Sequence, residues 1–434
     1  MSSRGLAFIN ARLIDPASGY DGPGCLIARD GRIEAIEHQP SFSTRLEDAR
    51  VIDCEGATLA PGLVDLRVKT GEPGAETRET LRSATDAAAA GGVTTIVLQP
   101  DTDPAVDEPA LVDFLIRRGR DLASIRVLAA GALTRGLRGE ALAEIGLMAE
   151  AGAVYFTDAD HVIADSRVLR RVMTYAGAFD ALVAHRPADA FLTKGAAATG
   201  GELASRMGLP AAPAIAERIG LERDLALAES TGARLLVDQI TTADALEALQ
   251  RARSRGVEAA ATVSINHLCF NEVDIGGYRT FMRLDPPLRS EGDRQALVEA
   301  VREGLVDAIV SAHTPVPAEG KRLPFAEAEA GAVGLETLLA GALTLHHEAG
   351  LSLIEVLRPL TVGPADLIGL EAGRLAVGAL ADMVLFDPDA PVMIDADRLI
   401  SRSKNTCFDG RRLQGRVLMT VAGGRIVWRE SDAD

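Results

Sequence analysis

The sequence predicts an α/β protein: a (β/α)8 barrel that carries a small β-sandwich domain built from both ends of the chain. Three observations lead there. Short apolar, β-branched runs alternate eight times with amphipathic stretches of helix length, the pattern of parallel βα units. The two ends of the chain follow a different grammar, short alternating runs between turn signals, which reads as antiparallel sheet. Finally, 434 residues at 47% hydrophobic and 25% charged supply an ordinary large core, and an α/β barrel commonly runs beyond about 200 residues as one unit.

The elements follow in order. Leu6–Leu13, Cys25–Arg29, Arg32–Ile36 and Arg50–Asp53 alternate around turn signals such as Asp15-Pro16 and Asp30-Gly31. Eight barrel strands are expected at Leu63–Val68, Thr94–Leu98, Arg126–Ala130, Ala153–Phe156, Ala181–Ala184, Arg234–Val237, Glu258–Val263 and Asp307–Ser311. Helices are expected at Glu76–Ala90, Pro109–Leu122, Glu140–Ala151, Ser166–Ala178, Ala214–Ser230, Ala243–Arg255, Asp293–Gly304 and Gly334–Glu348. Ala188–Ala214, rich in Gly, Ala and Pro, is expected to be a long, mobile loop. Asp382–Asp387, Val417–Val421 and Arg425–Trp428, around the Gly423-Gly424 hairpin turn, return to antiparallel grammar. Residues 1–61 and 374–434 are therefore assigned to a composite β-sandwich and residues 62–373 to the barrel.

Composition excludes several function classes. A net charge of −17 disfavours nucleic acid and anionic membrane surfaces, so neither is expected as a partner. The longest uncharged run, Ala87–Pro100, contains Gly91 and Gly92 and falls short of the ~20 apolar residues of a spanning helix. Residues 1–10 lack the apolar core and cleavage site of a signal peptide, and the reading is cytoplasmic. Cys25, Cys54, Cys269 and Cys407 form no C-x-x-C pair and read as buried free thiols.

In a parallel barrel the chemistry sits at the carboxyl ends of the strands. The first of these ends reads Pro61-Gly62-Leu63-Val64-Asp65-Leu66-Arg67-Val68-Lys69-Thr70-Gly71-Glu72-Pro73-Gly74. It resembles the bacterial dihydroorotase branch of the amidohydrolase superfamily, a metal-dependent hydrolase barrel, where the stretch reads P-G-[LI]-[IV]-D-L-H-V-H-x-R-E-P-G. The resemblance continues through Ala89–Thr95, Pro100–Pro104, Asp285-Pro286-Pro287-Leu288-Arg289, Gly334–Thr337 and Ser403–Gly410.

The departures carry more information than the matches. In the family the two His of H-x-H leave one strand face and bind a catalytic divalent metal, zinc in active relatives. Here they are Arg67 and Lys69. Neither a guanidinium nor an ammonium has a lone pair for a metal. The resemblance keeps two vestigial ligands, Asp158 on strand 4 and His185 on strand 5. It loses the strand-6 His to Gln239 and the strand-8 Asp, ligand and general base, to Ala312. The family's Arg, Asn and final His that hold the substrate carboxylate correspond to Gly71, Asp101 and Val316. His267, Asp285 and His313 complete the expected mouth. His267 and His313 read either as functional or as merely hydrogen-bonded histidines. His346 and His347 suit a helix C-terminus, and His38 and His161 are assigned to surface loops.

Arg67 and Lys69 are expected to neutralise Asp158 where the metal charge would sit, the alternative being that both point into a water-filled mouth. The leading expectation is a catalytically inactive dihydroorotase-like protein of pyrimidine biosynthesis, with no catalytic residue, metal or cofactor of its own. The resemblance implies a partner, the catalytic chain of aspartate transcarbamoylase, and a homo-oligomer is expected. Two other readings stay open: an atypical, metal-poor cyclic amidohydrolase using Lys69, Asp158 and His185 as acid–base groups, and a ligand-binding regulator using the barrel cavity.

Overall fold

In the computed structural model, which describes residues 5–42 and 49–430, the eight apolar runs lie side by side in chain order as a parallel sheet. The strands are β1 (Leu63–Val68), β2 (Val93–Leu98), β3 (Arg126–Gly131), β4 (Ala153–Phe156), β5 (Val183–His185), β6 (Leu235–Val237), β7 (Ala259–Ser264) and β8 (Ala308–Val310). A bridge between Val68 and His313 joins the last strand's end to the first. Asp65 on β1 reinforces the seam, accepting a hydrogen bond from the Ser311 amide at 3.2 Å.

The alternation of a strand sorts its residues into two cores. Val64, Leu66, Val97, Tyr155, Leu182, Leu236 and Val310 fill the barrel interior. Their neighbours Leu63, Ile96, Phe156, Val183, Leu235 and Ile309 pack outward against the helices. Tyr155 closes the interior below the mouth, its hydroxyl accepting from Gln99 Nε2 at 2.6 Å and donating to the Leu66 carbonyl.

The principal helices are α1 (Leu81–Ala90), α2 (Pro109–Leu122), α3 (Ile145–Glu150), α4 (Ser166–Gly177), α5 (Ile215–Thr231), α6 (Ala243–Ser254), α7 (Glu291–Arg302) and α8 (Leu338–His347). Side-chain caps from Thr80, Asp165, Thr242 and Ser290 start four of them. Three are shorter than the sequence suggests, α8 beginning at Leu338 rather than Gly334 because Thr337 N and the Gly334 carbonyl close a separate turn before it. α1 begins at Leu81 rather than Glu76 because the Gly71 amide bonds the Glu79 carbonyl and closes residues 71–79 into a loop. α3 loses its expected first turn because residues 134–142 form a turn held by Arg135 N and the Ala141 carbonyl. The segment expected as a long loop, 188–214, contains a helix, Glu202–Met207, and a short parallel pairing of Ala198–Thr199 with Ala211–Ala212.

The β-sandwich from both termini is present as one eight-stranded sheet. Its order is Arg425–Arg429, Arg412–Ala422, Met383–Met393, Thr58–Pro61, Gly5–Asp15, Tyr20–Arg29 and Arg32–Glu37, with Ala49–Asp53 also paired to Gly5–Asp15. Thr58–Pro61 is a strand the sequence reading did not resolve, because it runs into β1 with only Gly62 between them. Leu59 stands opposite Leu385 across the seam between the two ends of the chain. Met383 and Leu385 face the sandwich core with Leu6, Phe8 and Leu26, while Val384 and Phe386 face the barrel core. Residues 1–4, 43–48 and 431–434 of the two terminal segments, including part of the stretch read as lacking a signal peptide, lie outside the described residues. Among the described residues no helix is long and apolar enough to cross a membrane, and all four cysteines are free.

Candidate functional site

At the barrel mouth β1 presents Arg67 and Lys69 on one side, two residues apart. Arg67 Nε sits 2.9 Å and 3.0 Å from the two carboxylate oxygens of Asp238, and its Nη2 lies 2.6 Å from Asp160. Lys69 Nζ lies 2.5 Å from Asp101 and also bonds Asp160. The result is a continuous chain of alternating charge: Asp101, Lys69, Asp160, Arg67, Asp238. Arg186, just past β5, pairs through both terminal nitrogens with Asp285 and adds its field to that on Asp160. Burial disfavours both β1 cations, but Asp238 and Asp160 outweigh it at Arg67, and Asp101 and Asp160 at Lys69, so both pKa values are raised. Asp160 is pushed the other way: burial opposes its charge, and Lys69 and Arg67 overcome that and hold it far below the usual carboxylate range.

These contacts correct the expected pairing with Asp158. That carboxylate turns away from the cations and accepts from the Leu133 and Thr134 amides, both at 2.9 Å, and from the Thr134 hydroxyl. It therefore fastens the end of β3 to the end of β4, and burial raises its pKa against those bonds. The alternative that Arg67 and Lys69 point into open water is corrected too. The carboxylate in the central place is Asp160, delivered there because Ala159 takes a positive φ of 53° and breaks the strand's alternation.

His185 is similarly committed. Its Nδ1 lies 2.6 Å from Asp224, and its Nε2 accepts from the Ile163 amide at 3.0 Å. With the Nε2 lone pair so engaged, Nδ1 must carry the proton it shares with Asp224, which leaves neither nitrogen for a metal or for proton transfer. His313 Nδ1 accepts from the Gly334 amide at 3.2 Å. His267 Nε2 lies 3.3 Å from the Pro287 carbonyl while its Nδ1 is buried without a partner. Burial, then the nearby charge of Arg289, lowers the His267 pKa to about 4, so it is neutral at pH 7.

The remaining mouth positions offer little to a substrate. Gly71 cannot be replaced by the family's arginine in this loop, since a Cβ there would stand 1.8 Å from the Ala75 carbonyl oxygen. Val316 is buried and its amide is taken by Asn405 Oδ1 at 3.1 Å. Asp101 faces Lys69 and Asp285 faces Arg186. Gln239 and Ala312, both at positive φ, border a cavity with Arg67, His267 and Asp285 whose volume is about 20 Å³. That is room for a water, against about 300–1,000 Å³ for an ordinary ligand site.

A catalytic zinc wants about three protein donors and an open position. Among the described residues no group of three or more His, Cys, Asp or Glu side chains converges to hold a metal ion. Two of the expected ligand positions are cations already bonded to carboxylates, and His185 has no free lone pair. The residues present do not fit the metal.

Asp160, Asp238, Arg186 and Asp224 were not singled out in the sequence. Asp238 was within reach of strand periodicity, because it stands two residues beyond Leu236, which faces the barrel interior. Asp160 was not, since the backbone reversal at Ala159 leaves no trace in residue type.

Comparison with known proteins extends the description. A family model described as Dihydro-orotase-like matches residues 56–245, and one described as Amidohydrolase family matches residues 330–428. A dihydroorotase of Anaeromyxobacter dehalogenans (strain 2CP-1 / ATCC BAA-258) is 39% identical, covering 98% of each chain. A dihydroorotase-like protein of Pseudomonas aeruginosa is 40% identical over 96% of this chain and 97% of its own. The solved structure of L-hydantoinase (dihydropyrimidinase) from Arthrobacter aurescens superimposes with a TM-score of 0.88 at 26% identity, covering 98% of this chain and 96% of that one.

Proposed function

This chain belongs to the dihydroorotase-like family of cyclic amidohydrolases, and from that premise we propose that it is a member without hydrolytic chemistry, acting in pyrimidine biosynthesis as a structural partner of the aspartate transcarbamoylase catalytic chain. The observation that carries the reading is the closed charge chain at the mouth. Arg67 and Lys69 stand at the metal-ligand positions and are bonded to Asp160, Asp238 and Asp101, over a cavity of about 20 Å³. The general-base position is Ala312, which cannot accept a proton.

Partnership is supported by what the chain keeps. Arg289, in the run Asp285–Arg289, bonds Thr241, Thr199 and Glu217 at 2.8, 3.0 and 3.0 Å in a buried cluster. Asn405, in the segment Ser403–Gly410, ties three backbone groups together. A scaffold this complete around a dismantled centre suits a role in assembly. The rival reading with Lys69, Asp158 and His185 as acid–base groups finds each of them already bonded, and the regulator reading finds too little room in the barrel cavity.

The test has two independent arms. Purified protein supplied with zinc should show no dihydroorotate hydrolysis above background, and the Arg67→His, Lys69→His double variant should stay inactive because Gly71, Gln239 and Ala312 remain. Turnover above background overturns the non-catalytic reading. Co-expressed with the transcarbamoylase chain, the protein should co-elute from size exclusion, burying at least ~1,000 Å². Separate elution at micromolar concentration, with the transcarbamoylase assembling alone, ends the partnership.

A further inference from the structure

Beside the mouth lies a second, larger cavity of about 350 Å³, inside the roughly 300–1,000 Å³ range of small-molecule sites. Phe281, Val316 and Pro317 give it an apolar wall, and Lys321, Arg322, Arg402 and Lys404 bring four cations, with no carboxylate in its lining. In a chain of net charge −17 that is a local inversion of sign.

Glu319, three residues before Arg322 and exposed, does not line the cavity, and two carboxylates of the neighbouring segments are engaged elsewhere. Glu79 accepts from the Arg402 amide and the Ser83 hydroxyl, and Glu329 pairs with Arg78 at 2.7 Å. Lys321, 5% exposed, donates to the carbonyls of Thr280, Arg283 and Glu329 at 3.1, 3.2 and 2.7 Å. It is a charge fixed in the wall. Lys404 bonds the Leu399 and Ser401 carbonyls. The Arg322 and Arg402 guanidiniums are different: both are exposed residues, and neither makes a hydrogen bond or ion pair among the described residues.

The walls are preformed. Asn405 Oδ1 accepts from Val316 N, its Nδ2 donates to the Thr314 and Gly331 carbonyls, and Ser403 Oγ donates to the Arg78 carbonyl at 2.7 Å. Little ordering is left for a ligand to impose. Of the mouth positions only Val316 reaches this cavity.

We propose that this cavity binds a small organic anion, with an apolar body against Phe281, Val316 and Pro317 and a carboxylate or phosphate between Arg322 and Arg402. Planar guanidiniums suit both head groups. The proposal does not depend on the non-catalytic reading of the mouth.

The test is calorimetric titration of the full chain with phenyl phosphate and benzoate, against phenol and inorganic phosphate as the neutral body and the bare head group. One of the two organic anions should bind at one site at least about tenfold more tightly than either control. The preferred one identifies the head group. Arg322→Glu and Arg402→Glu should each weaken it about tenfold, and Arg322→Gln and Arg402→Gln less so. Both side chains are exposed, so unchanged thermal unfolding should accompany the loss. Equal affinity for phenol, or affinity untouched by the double charge reversal, overturns the proposal.

Discussion

Arg67 and Lys69 leave the same strand two residues apart, yet their surroundings differ enough for substitution to separate them. The Arg67 side chain is 3% exposed and its partner Asp238 7%, whereas Lys69 faces Asp101 and Asp160 at 19% and 32%. Removing Arg67 strands a buried carboxylate, an event costing about 3–5 kcal/mol. Removing Lys69, itself 12% exposed, leaves Asp160 bonded to Arg67 but strands the less buried Asp101, and costs a smaller ~1–3 kcal/mol. Chemical denaturation of Arg67→Ala and Lys69→Ala checks this, and equal losses would contradict it. His267 supplies a pH signature. Its pKa is about 4 when folded and about 6.5 unfolded, so between those values the unfolded chain binds more protons and stability rises with pH. The stability of the native protein relative to His267→Gln should therefore grow from pH 4 to pH 6.5, by on the order of 3 kcal/mol, and be flat above. At this scale the sequence shows what the mouth has lost but not what replaced it. The i, i+2 spacing of Arg67 and Lys69 is strand geometry and readable. The acceptors come from three other strand ends, whose convergence is a property of closure, and the motif match drew attention to Asp158 when the carboxylate that bridges both cations lay two residues on.

Among elements, the segment Ser401–Asn405 does the most unexpected work. Asn405 satisfies Val316 N, Thr314 O and Gly331 O from a position remote in sequence. Asn405→Ala should destabilise by about 2–4 kcal/mol, since it leaves buried backbone groups unpaired. Amide exchange supplies the sharper check: Val316 should lose protection while Val333, whose amide bonds the Asn405 backbone carbonyl, should keep it. Periodicity gave all eight barrel strands within a few residues, because an apolar β-branched run between turn signals has few alternatives. It overestimated α1, α3 and α8 because polar Glu76–Thr80, alanine-rich Glu140–Glu144 and Gly334–Thr337 are all compatible with a helix, and only the local bonds at Gly71–Glu79, Arg135–Ala141 and Gly334–Thr337 decide that they stay outside it. Thr58–Pro61 was invisible because a strand of four residues that passes straight into another gives no boundary signal.

For the whole molecule the proposed loss of the metal centre predicts metal independence. Where zinc ties strand ends together, chelation loosens the barrel; here the ties are Asp160 and Asp238 to the β1 cations, and Asp158 to Thr134. Thermal unfolding should be the same with and without EDTA, while 1 M salt should lower the midpoint slightly through the more exposed Lys69 pairs. A chelator-induced fall of several degrees would show a structural metal that these side chains do not predict. The split sheet has a consequence of its own, in the order of synthesis. Thr58–Pro61 pairs with Met383–Met393, and Leu59 meets Leu385 only after the entire barrel has been made. On the ribosome the first strands emerge with that hydrogen-bonding edge unfilled, and loop closure across some three hundred residues is slow. The nascent chain therefore exposes a sticky margin throughout elongation, which makes the final strands the latch that covers it.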